Sequence, residues 1–115
     1  MTVPFTSIED LGNNIDWNQH ISSHPQATFC FRCNTDAMQD AFIPKGAILA
    51  VDRAVEPKNG QVVVALVRGE FVVRKLQKNE YRSKLLAASR RYPDILMNEE
   101  IIIWGVVASI VIQHV

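Results

Sequence analysis

The sequence predicts a mainly β fold, a compact small barrel or sandwich of hairpins with one short helix near the N terminus. From residue 27 onward, short apolar or alternating runs rich in β-branched residues follow one another, and turn residues such as Pro44 and Gly46 separate them. With 115 residues, of which 48% are hydrophobic, the chain has the length of one domain with one core. We assign residues 1–14 to an N-terminal arm and residues 15–115 to the domain.

The first element after the arm is a predicted short helix in IDWNQHISSHPQ, residues 15–26. Asp16 could cap its start, and Pro25 prevents it from continuing far past His24. His20 and His24 are four residues apart and could share a helix face, but no third histidine or nearby acid completes a metal site. His24 fits better as a helix-end residue, where a positive charge suits the helix dipole.

The rest of the chain is predicted to be strand and turn. The segment QVVVALVRGEFVVRKLQ, residues 61–77, is typical of a hairpin closed by two residues, the second a glycine. Alternation in its second arm places Arg74 and Lys75 on opposite faces, so only one of these cations could point into a given cleft. The predicted strands are residues 27–33, residues 47–52, the two arms of the hairpin, residues 84–89 and residues 101–113.

The two cysteines form the sequence Cys30-Phe31-Arg32-Cys33. A structural zinc site needs four ligands, and the chain has no second cysteine pair. A redox pair would need its first cysteine at a helix N terminus, whereas ATFCFRC alternates like a strand, in which residues three apart face opposite ways. We therefore expect two ordinary cysteines, no metal and no cofactor.

Charge and hydrophobicity restrict the partners. The formal net charge is zero, so the whole molecule gives no reason to expect binding to nucleic acid or to a membrane. Residues 68–91 nevertheless hold eight of the twelve lysines and arginines against two acids, and could contact DNA or an acidic partner or form a solvated loop. The longest apolar run, residues 101–112, is too short to cross a bilayer as a helix. Because no secretion signal opens the chain, we expect a cytoplasmic protein.

The last predicted strand, residues 101–113, is apolar on both faces. One face could cover the core while the other meets a second subunit, or both could be covered within the monomer. The candidate dimer residues are Ile101, Ile103, Val107 and Val111, which alternate with Ile102, Trp104, Val106 and Ile110.

Two stretches, in this order, resemble the peptidase domain of the LexA/UmuD family, which are serine peptidases of the S24 type. The segment IDWNQHISSHPQATFCFRCNTDAM is similar to the helix and strand that lead into the family's serine turn. The segment IPKGAILAVDRAVEPKNGQVVVALVRGEFVVRKLQ is similar to the strand and the lysine hairpin that follow. The resemblance runs along nearly the whole chain and implies the β fold of that domain.

By this resemblance, the family's nucleophilic serine falls on Ala37 and its general-base lysine on Arg74. Asp36 and Met38 match the neighbours of the serine, and Thr35 replaces the motif glycine. Alanine has no nucleophilic atom, and arginine stays protonated, so it cannot accept a proton from a serine. None of the chain's six serines lies in a recognisable turn beside a base. We therefore expect a degenerate S24-type peptidase that is not an enzyme.

The resemblance also implies a function. Processed UmuD acts, in the family, as a homodimer that binds the error-prone Y-family polymerase UmuC in synthesis across lesions. The implied role is a non-catalytic, UmuD′-like accessory subunit of a UmuC-like polymerase in SOS translesion synthesis. The alternative is a regulatory pseudo-peptidase that forms a heterodimer with an active LexA- or UmuD-like protein and modulates SOS transcription or self-cleavage. The arm, residues 2–14, could contact the polymerase, pack across a dimer or be disordered.

Self-cleavage is a further point of comparison with the family. Its members cut themselves before a glycine, in an Ala-Gly or Cys-Gly pair, and this sequence contains neither. Met1 and Thr2 align close to where processed UmuD begins, so we expect a chain made already in the trimmed form. No helix-turn-helix segment is recognisable, which predicts no direct sequence-specific DNA binding.

Overall fold

Eight strands form a single antiparallel sheet in the computed structural model, which describes residues 8–12 and 24–112. The strands are β1 (Ile8–Gly12), β2 (Thr28–Cys33), β3 (Ile48–Asp52), β4 (Val62–Val67), β5 (Glu70–Lys78), β6 (Ser83–Leu86), β7 (Ile95–Leu96) and β8 (Ile101–Val111). Their order across the sheet is β1-β2-β3-β8-β4-β5-β6-β7, so the last strand of the chain lies in the middle. The predicted mainly β fold is confirmed.

Helical structure in the described residues is limited to two short 3₁₀ turns, Pro25–Ala27 and Gln39–Ala41. Most of the helix expected within residues 15–26 lies outside the described residues. Part of the segment expected as an N-terminal arm, Ile8–Gly12, pairs with β2 as β1. Within residues 8–12 and 24–112, no helix is long and apolar enough to span a membrane.

The predicted hairpin is confirmed as β4 and β5. Its turn residues Arg68 and Gly69 both have positive φ, 53° and 82°, as the two-residue turns that match strand twist require. The resulting register places Val63 opposite Arg74 and Val62 opposite Lys75. Arg74 is buried and Lys75 is exposed, which confirms that the two cations face opposite ways.

Apolar side chains are buried on both faces of this hairpin. Val64 and Val73 belong to a first core cluster with residues of β2 and β3, including Phe31 and Leu49. Their sequence neighbours belong to a second cluster on the other face, which contains Val63, Ala65, Val67, Val72, Leu76, Leu85, Ile101 and Val106. Burial on both faces explains why these strands are continuous apolar runs rather than alternating ones.

The two cysteines lie on opposite faces of β2, as the strand pattern predicts. Cys33 packs in the first core cluster, whereas Cys30 packs in a small separate cluster with Ala50. Both are thiols and both are fully buried.

Strand β8 departs from strict alternation because its pairing register shifts twice. One shift lies opposite Val64 and Ala65 of β4, and the other opposite Ala50 and Val51 of β3. At Gly105, between these shifts, a Cβ would lie 2.7 Å from Val51 Cγ1, so only glycine lets the strands approach this closely.

The shifts also decide which residues of β8 are exposed. Ile101 and Ile103 pack with the second core cluster and Val107 with the first, so these three candidate dimer residues cover the monomer's own core. Val111, the fourth candidate, is half-buried. Among residues 101–112, the large exposed apolar side chains are Ile102, Ile110 and Ile112.

Candidate functional site

The turn that follows β2 carries Thr35, Asp36 and Ala37. The Cys33 thiol donates to the carbonyl of Thr35 at 3.3 Å, and the backbone N–H of Ala37 donates to the Thr35 hydroxyl oxygen at 3.1 Å. A threonine hydroxyl that accepts the N–H two residues later is a common local turn motif. Thr35 thus closes this turn with its own side chain.

A second segment covers this turn, and we call residues 88–92 the strap. The backbone N–H of Ala88 donates to the carbonyl of Ala37 at 2.7 Å, and the N–H of Asp40 donates to the carbonyl of Ala88 at 2.8 Å. The side chain of Ala37 is fully buried. In this structure the Ala37 side chain is therefore closed to solvent.

Two strap side chains bind Asp36. The Tyr92 hydroxyl donates to Asp36 Oδ1 at 2.6 Å, and Arg91 Nη1 lies 3.0 Å from Asp36 Oδ2. The Tyr92 hydrogen bond, followed by the charge of Arg91, lowers the pKa of Asp36 below its ordinary value. Asp36 is therefore ionised at neutral pH and fastens the strap to the turn.

Arg74 is the buried cation of this region. It lies on β5 with 6% of its surface exposed, and its Cζ is 5.8 Å from the centre of the Tyr92 ring. Burial lowers the pKa of its guanidinium, although an arginine keeps its proton in proteins at neutral pH. Burial also raises the pKa of the neighbouring Cys33, so this group is a neutral thiol and adds no negative charge.

Because Asp36 is adjacent to Ala37 in sequence, it would be the expected anionic partner of a cation at the predicted dyad position Arg74, but the structure pairs it elsewhere. Arg74 Nη1 donates to the carbonyl of Val73 at 2.7 Å, and Arg74 forms no ion pair within residues 8–12 and 24–112. The strap provides Asp36 with the largely exposed cation Arg91 instead. Pairing with an exposed guanidinium requires less desolvation than pairing with a buried one.

A second buried charge lies at the end of β3. Asp52, whose side chain is 2% exposed, accepts the backbone N–H of Ala54 at 2.7 Å on Oδ1. His24 Nδ1 lies 2.6 Å from its other oxygen, Oδ2. Sequence reasoning took His24 as a helix-end residue and missed this pair. An aspartate that directly follows the apolar run ILAV was the available signal.

Half-buried aromatic side chains occupy the surface beside the first core cluster. The ring of Trp104 is edge-to-face with those of Phe29, Phe31 and Phe71, with centroids 5.1 to 5.5 Å apart. The Arg53 guanidinium lies 4.2 Å from the centre of the Trp104 ring. We call Phe29, Phe71 and Trp104, which are all half-buried, the aromatic face.

The aromatic face continues to an exposed residue of β8. Phe71 pairs with Leu66 across the hairpin, and Leu66 pairs with Ile102 on its other side. Ile102 is 59% exposed. The cross-strand row Phe71, Leu66, Ile102 therefore leads from the aromatic face to a solvent-exposed aliphatic side chain.

The basic segment, residues 68–91, divides into one buried cation and seven exposed ones. The exposed side chains are Arg68, Lys75, Lys78, Arg82, Lys84, Arg90 and Arg91. Their exposure agrees with a solvated surface and also leaves them accessible to an acidic partner.

Comparison with known proteins identifies the family. The Peptidase S24-like family model matches residues 1–108. The chain belongs to this LexA/UmuD family. It is 32% identical to protein MucA of Salmonella typhimurium over 103 residues, which cover 87% of this chain and 70% of MucA.

Two other members of the S24 family illustrate the range of the match. Protein SamA of Salmonella typhimurium is 36% identical over 108 residues, which cover 94% of this chain and 76% of SamA. A LexA repressor from Shewanella woodyi is 35% identical over 91 residues, which cover 76% of this chain and 44% of the repressor. That Ala37 and Arg74 occupy the family's two catalytic positions stays a prediction.

Proposed function

We propose that this chain is a non-catalytic, UmuD′-like accessory subunit of an error-prone Y-family DNA polymerase, acting in the cytoplasm in SOS translesion synthesis. The proposal depends on one observation, the chemistry of the two predicted dyad positions. Ala37 has no nucleophilic atom, and Arg74 is a protonated guanidinium that cannot act as a base. A member of the S24 family that lacks a nucleophile and a base cannot cleave peptides by the family's mechanism. The remaining role in the family is binding to a polymerase as a dimer.

Thr35 gives the non-catalytic assignment a second support, on the same assignment of Ala37 to the nucleophile position. Serine peptidases stabilise the oxyanion with backbone N–H groups, often including that of the nucleophile. Here the N–H of Ala37 already donates to the hydroxyl oxygen of Thr35. Restoring a serine and a lysine would therefore leave one oxyanion donor occupied.

A cleavage experiment tests this point. We expect the double variant Ala37→Ser, Arg74→Lys to cleave an added LexA repressor slowly or not at all. Adding Thr35→Gly frees the N–H of residue 37 and should raise the rate by about a hundredfold, the effect of one oxyanion donor. Cleavage by the unchanged chain would contradict the non-catalytic assignment, and the Ser83→Ala and Ser89→Ala variants would then show whether another serine is responsible.

For the homodimer, we propose the aromatic face together with Ile102. Tryptophan and phenylalanine are enriched at protein interfaces, and the exposed Ile102 extends this half-buried surface. Sedimentation equilibrium should find a dimer for the unchanged chain and a monomer for Ile102→Glu. The matched control is Leu96→Glu on β7, where a leucine of similar exposure, 51%, lies outside the proposed interface. A dimer that persists in Ile102→Glu would place the interface elsewhere.

The polymerase assignment is tested by recovering the tagged chain from its own host after DNA damage and identifying bound proteins by mass spectrometry. Recovery of a Y-family polymerase supports the accessory-subunit proposal. Recovery of an active LexA- or UmuD-like protein without a polymerase supports the regulatory pseudo-peptidase instead. Parallel recovery with Ile102→Glu separates partners that need the dimer from those that bind a monomer.

A further inference from the structure

The guanidinium of Arg74 is a buried charge with most of its hydrogen-bonding capacity unused. Its Nε is buried and has no hydrogen-bond partner among the residues that the structure describes. Its one hydrogen bond to those residues runs from Nη1 to the carbonyl of Val73. A buried charge without a counter-charge is strongly unfavourable, so a residue of this kind is retained only where something else compensates it.

The geometry of the guanidinium decides what could compensate it. Because Nη1 is engaged by Val73, the edge formed by Nε and Nη2 remains for another ligand. This edge presents two parallel N–H donors, which match the two oxygens of a planar carboxylate. The side-on, bidentate pair is a standard arginine–carboxylate arrangement.

The charge of the guanidinium favours a monoanion. Arg74 brings one positive charge, which a singly charged carboxylate neutralises, whereas a phosphate dianion would leave one negative charge uncompensated.

We propose that Arg74 is a binding site for the carboxylate of a peptide, held side-on by Nε and Nη2 beside Tyr92 of the strap. The carboxylate is either the C terminus of the peptide or an acidic side chain. The site stands whether or not Arg74 occupies the position of the catalytic lysine, because it depends on burial and unused donors alone.

Tyr92 is the strap residue beside Arg74, so movement of the strap would change the surroundings of the guanidinium. The side-chain fastening of the strap includes the pair between Arg91 and Asp36, in which the Arg91 side chain is 77% exposed. Exposed ion pairs of this kind are weak and are screened by salt. A ligand carboxylate can therefore compete with the closed strap, because it supplies a counter-charge that Arg74 does not find among the described residues.

The test follows the side-chain Nε–H resonance of Arg74 in the full chain by ¹⁵N–¹H correlation NMR. Four probes are titrated: sodium acetate, N-acetyl-trialanine with a free C terminus, its C-terminal amide, and N-acetyl-Ala-Asp-Ala amide. Sodium chloride at equal ionic strength is the control for salt. We expect a saturable downfield shift of the Nε–H with acetate and with at least one acid-bearing peptide, and binding at least about tenfold weaker for the trialanine amide.

The two acid-bearing peptides identify the source of the carboxylate. Tighter binding of the trialanine peptide with a free C terminus would identify the ligand carboxylate as a peptide C terminus. Tighter binding of the aspartate peptide would identify it as an acidic side chain. An Nε–H that does not shift, or that shifts equally with chloride or with the trialanine amide, overturns the proposal.

Variants provide a second readout through the backbone amide of Tyr92. Arg74→Gln should abolish the ligand-induced shift. Arg74→Lys keeps the positive charge but loses the two parallel N–H donors of the guanidinium, and should weaken binding by about tenfold. The matched control is Lys75→Gln on the same strand, an exposed cation whose loss should leave binding unchanged. A shift that survives in Arg74→Gln, or one lost equally in Lys75→Gln, contradicts a site at Arg74.

Discussion

Asp52 on β3 and Arg74 on β5 are both buried charges, but only the first is compensated inside the described structure. Both oxygens of Asp52 have partners, the N–H of Ala54 and the imidazole of His24. Arg74 makes one hydrogen bond to a backbone carbonyl and leaves its Nε without a partner among the described residues. Asp52 therefore serves the fold, whereas Arg74 is better explained by what it can bind.

The same comparison bears on why the chain keeps an arginine at this position. A methionine or leucine of similar volume would fill the site without desolvating a charge. Residues that reduce stability are commonly retained where function needs them. Stability measurements on matched variants can therefore separate the two kinds of buried charge.

The largest effect is expected for Asp52→Ala, which should lower the free energy of unfolding by about 3 kcal/mol. The variant removes the acceptor of the Ala54 N–H and a hydrogen-bond partner of the His24 ring. Urea denaturation measures the change. Asp94→Ala, which removes an exposed carboxylate, is the control and should change stability by less than about 0.5 kcal/mol. If the two variants lose the same amount, Asp52 is not a structural charge.

Arg74→Met should have the opposite sign and raise the free energy of unfolding by about 1–3 kcal/mol, because it removes a buried charge that has no ion-pair partner among the described residues while keeping the volume filled. The control is Lys75→Met, an exposed neighbour on β5 whose replacement should change stability by less than about 0.5 kcal/mol. A loss of stability in Arg74→Met would mean that the guanidinium is already compensated, and would remove the main reason to expect an external carboxylate.

Local patterns predict much of this fold. The turn Arg68-Gly69 defines the hairpin, and alternation in β5 correctly separates Arg74 from Lys75, because strand period and turn chemistry act over a few residues. Strands β1 and β7 were missed. Ile8–Gly12 has little strand propensity of its own and depends on pairing with β2, and Ile95–Leu96 is only two residues long.

The candidate site was harder to predict, because its contacts join distant parts of the chain. Family resemblance directs attention to Ala37 and Arg74, but no local pattern indicates that Arg91 and Tyr92 bind Asp36 across more than fifty residues. The exposed residues of β8 were misjudged for a similar reason. Its register shifts depend on strands β3 and β4, and Gly105 was the one signal of close approach in the sequence.

The smallest effects concern Asp36, which is paired with the strap through Arg91 and Tyr92. Because the folded pKa of Asp36 is depressed, its contribution to stability is present above the unfolded pKa of about 3.9 and is lost as the pH falls through the folded pKa. Tyr92→Phe should raise this pKa, and Arg91→Ala should raise it less, since the tyrosine hydrogen bond is the larger cause. Carboxyl ¹³C NMR titration measures both.

Two further variants decide whether Asp36 and Arg74 are independent. Tyr81→Phe, at an exposed tyrosine, is the control for the loss of a hydroxyl and should leave the pKa of Asp36 unchanged. Arg74→Met should leave it unchanged as well, because the charges that lower this pKa are those of Arg91 and Lys45. A rise of the Asp36 pKa in Arg74→Met would show that the two groups compensate each other after all, and Arg74 would then resemble Asp52, as a buried charge whose partner lies within the chain.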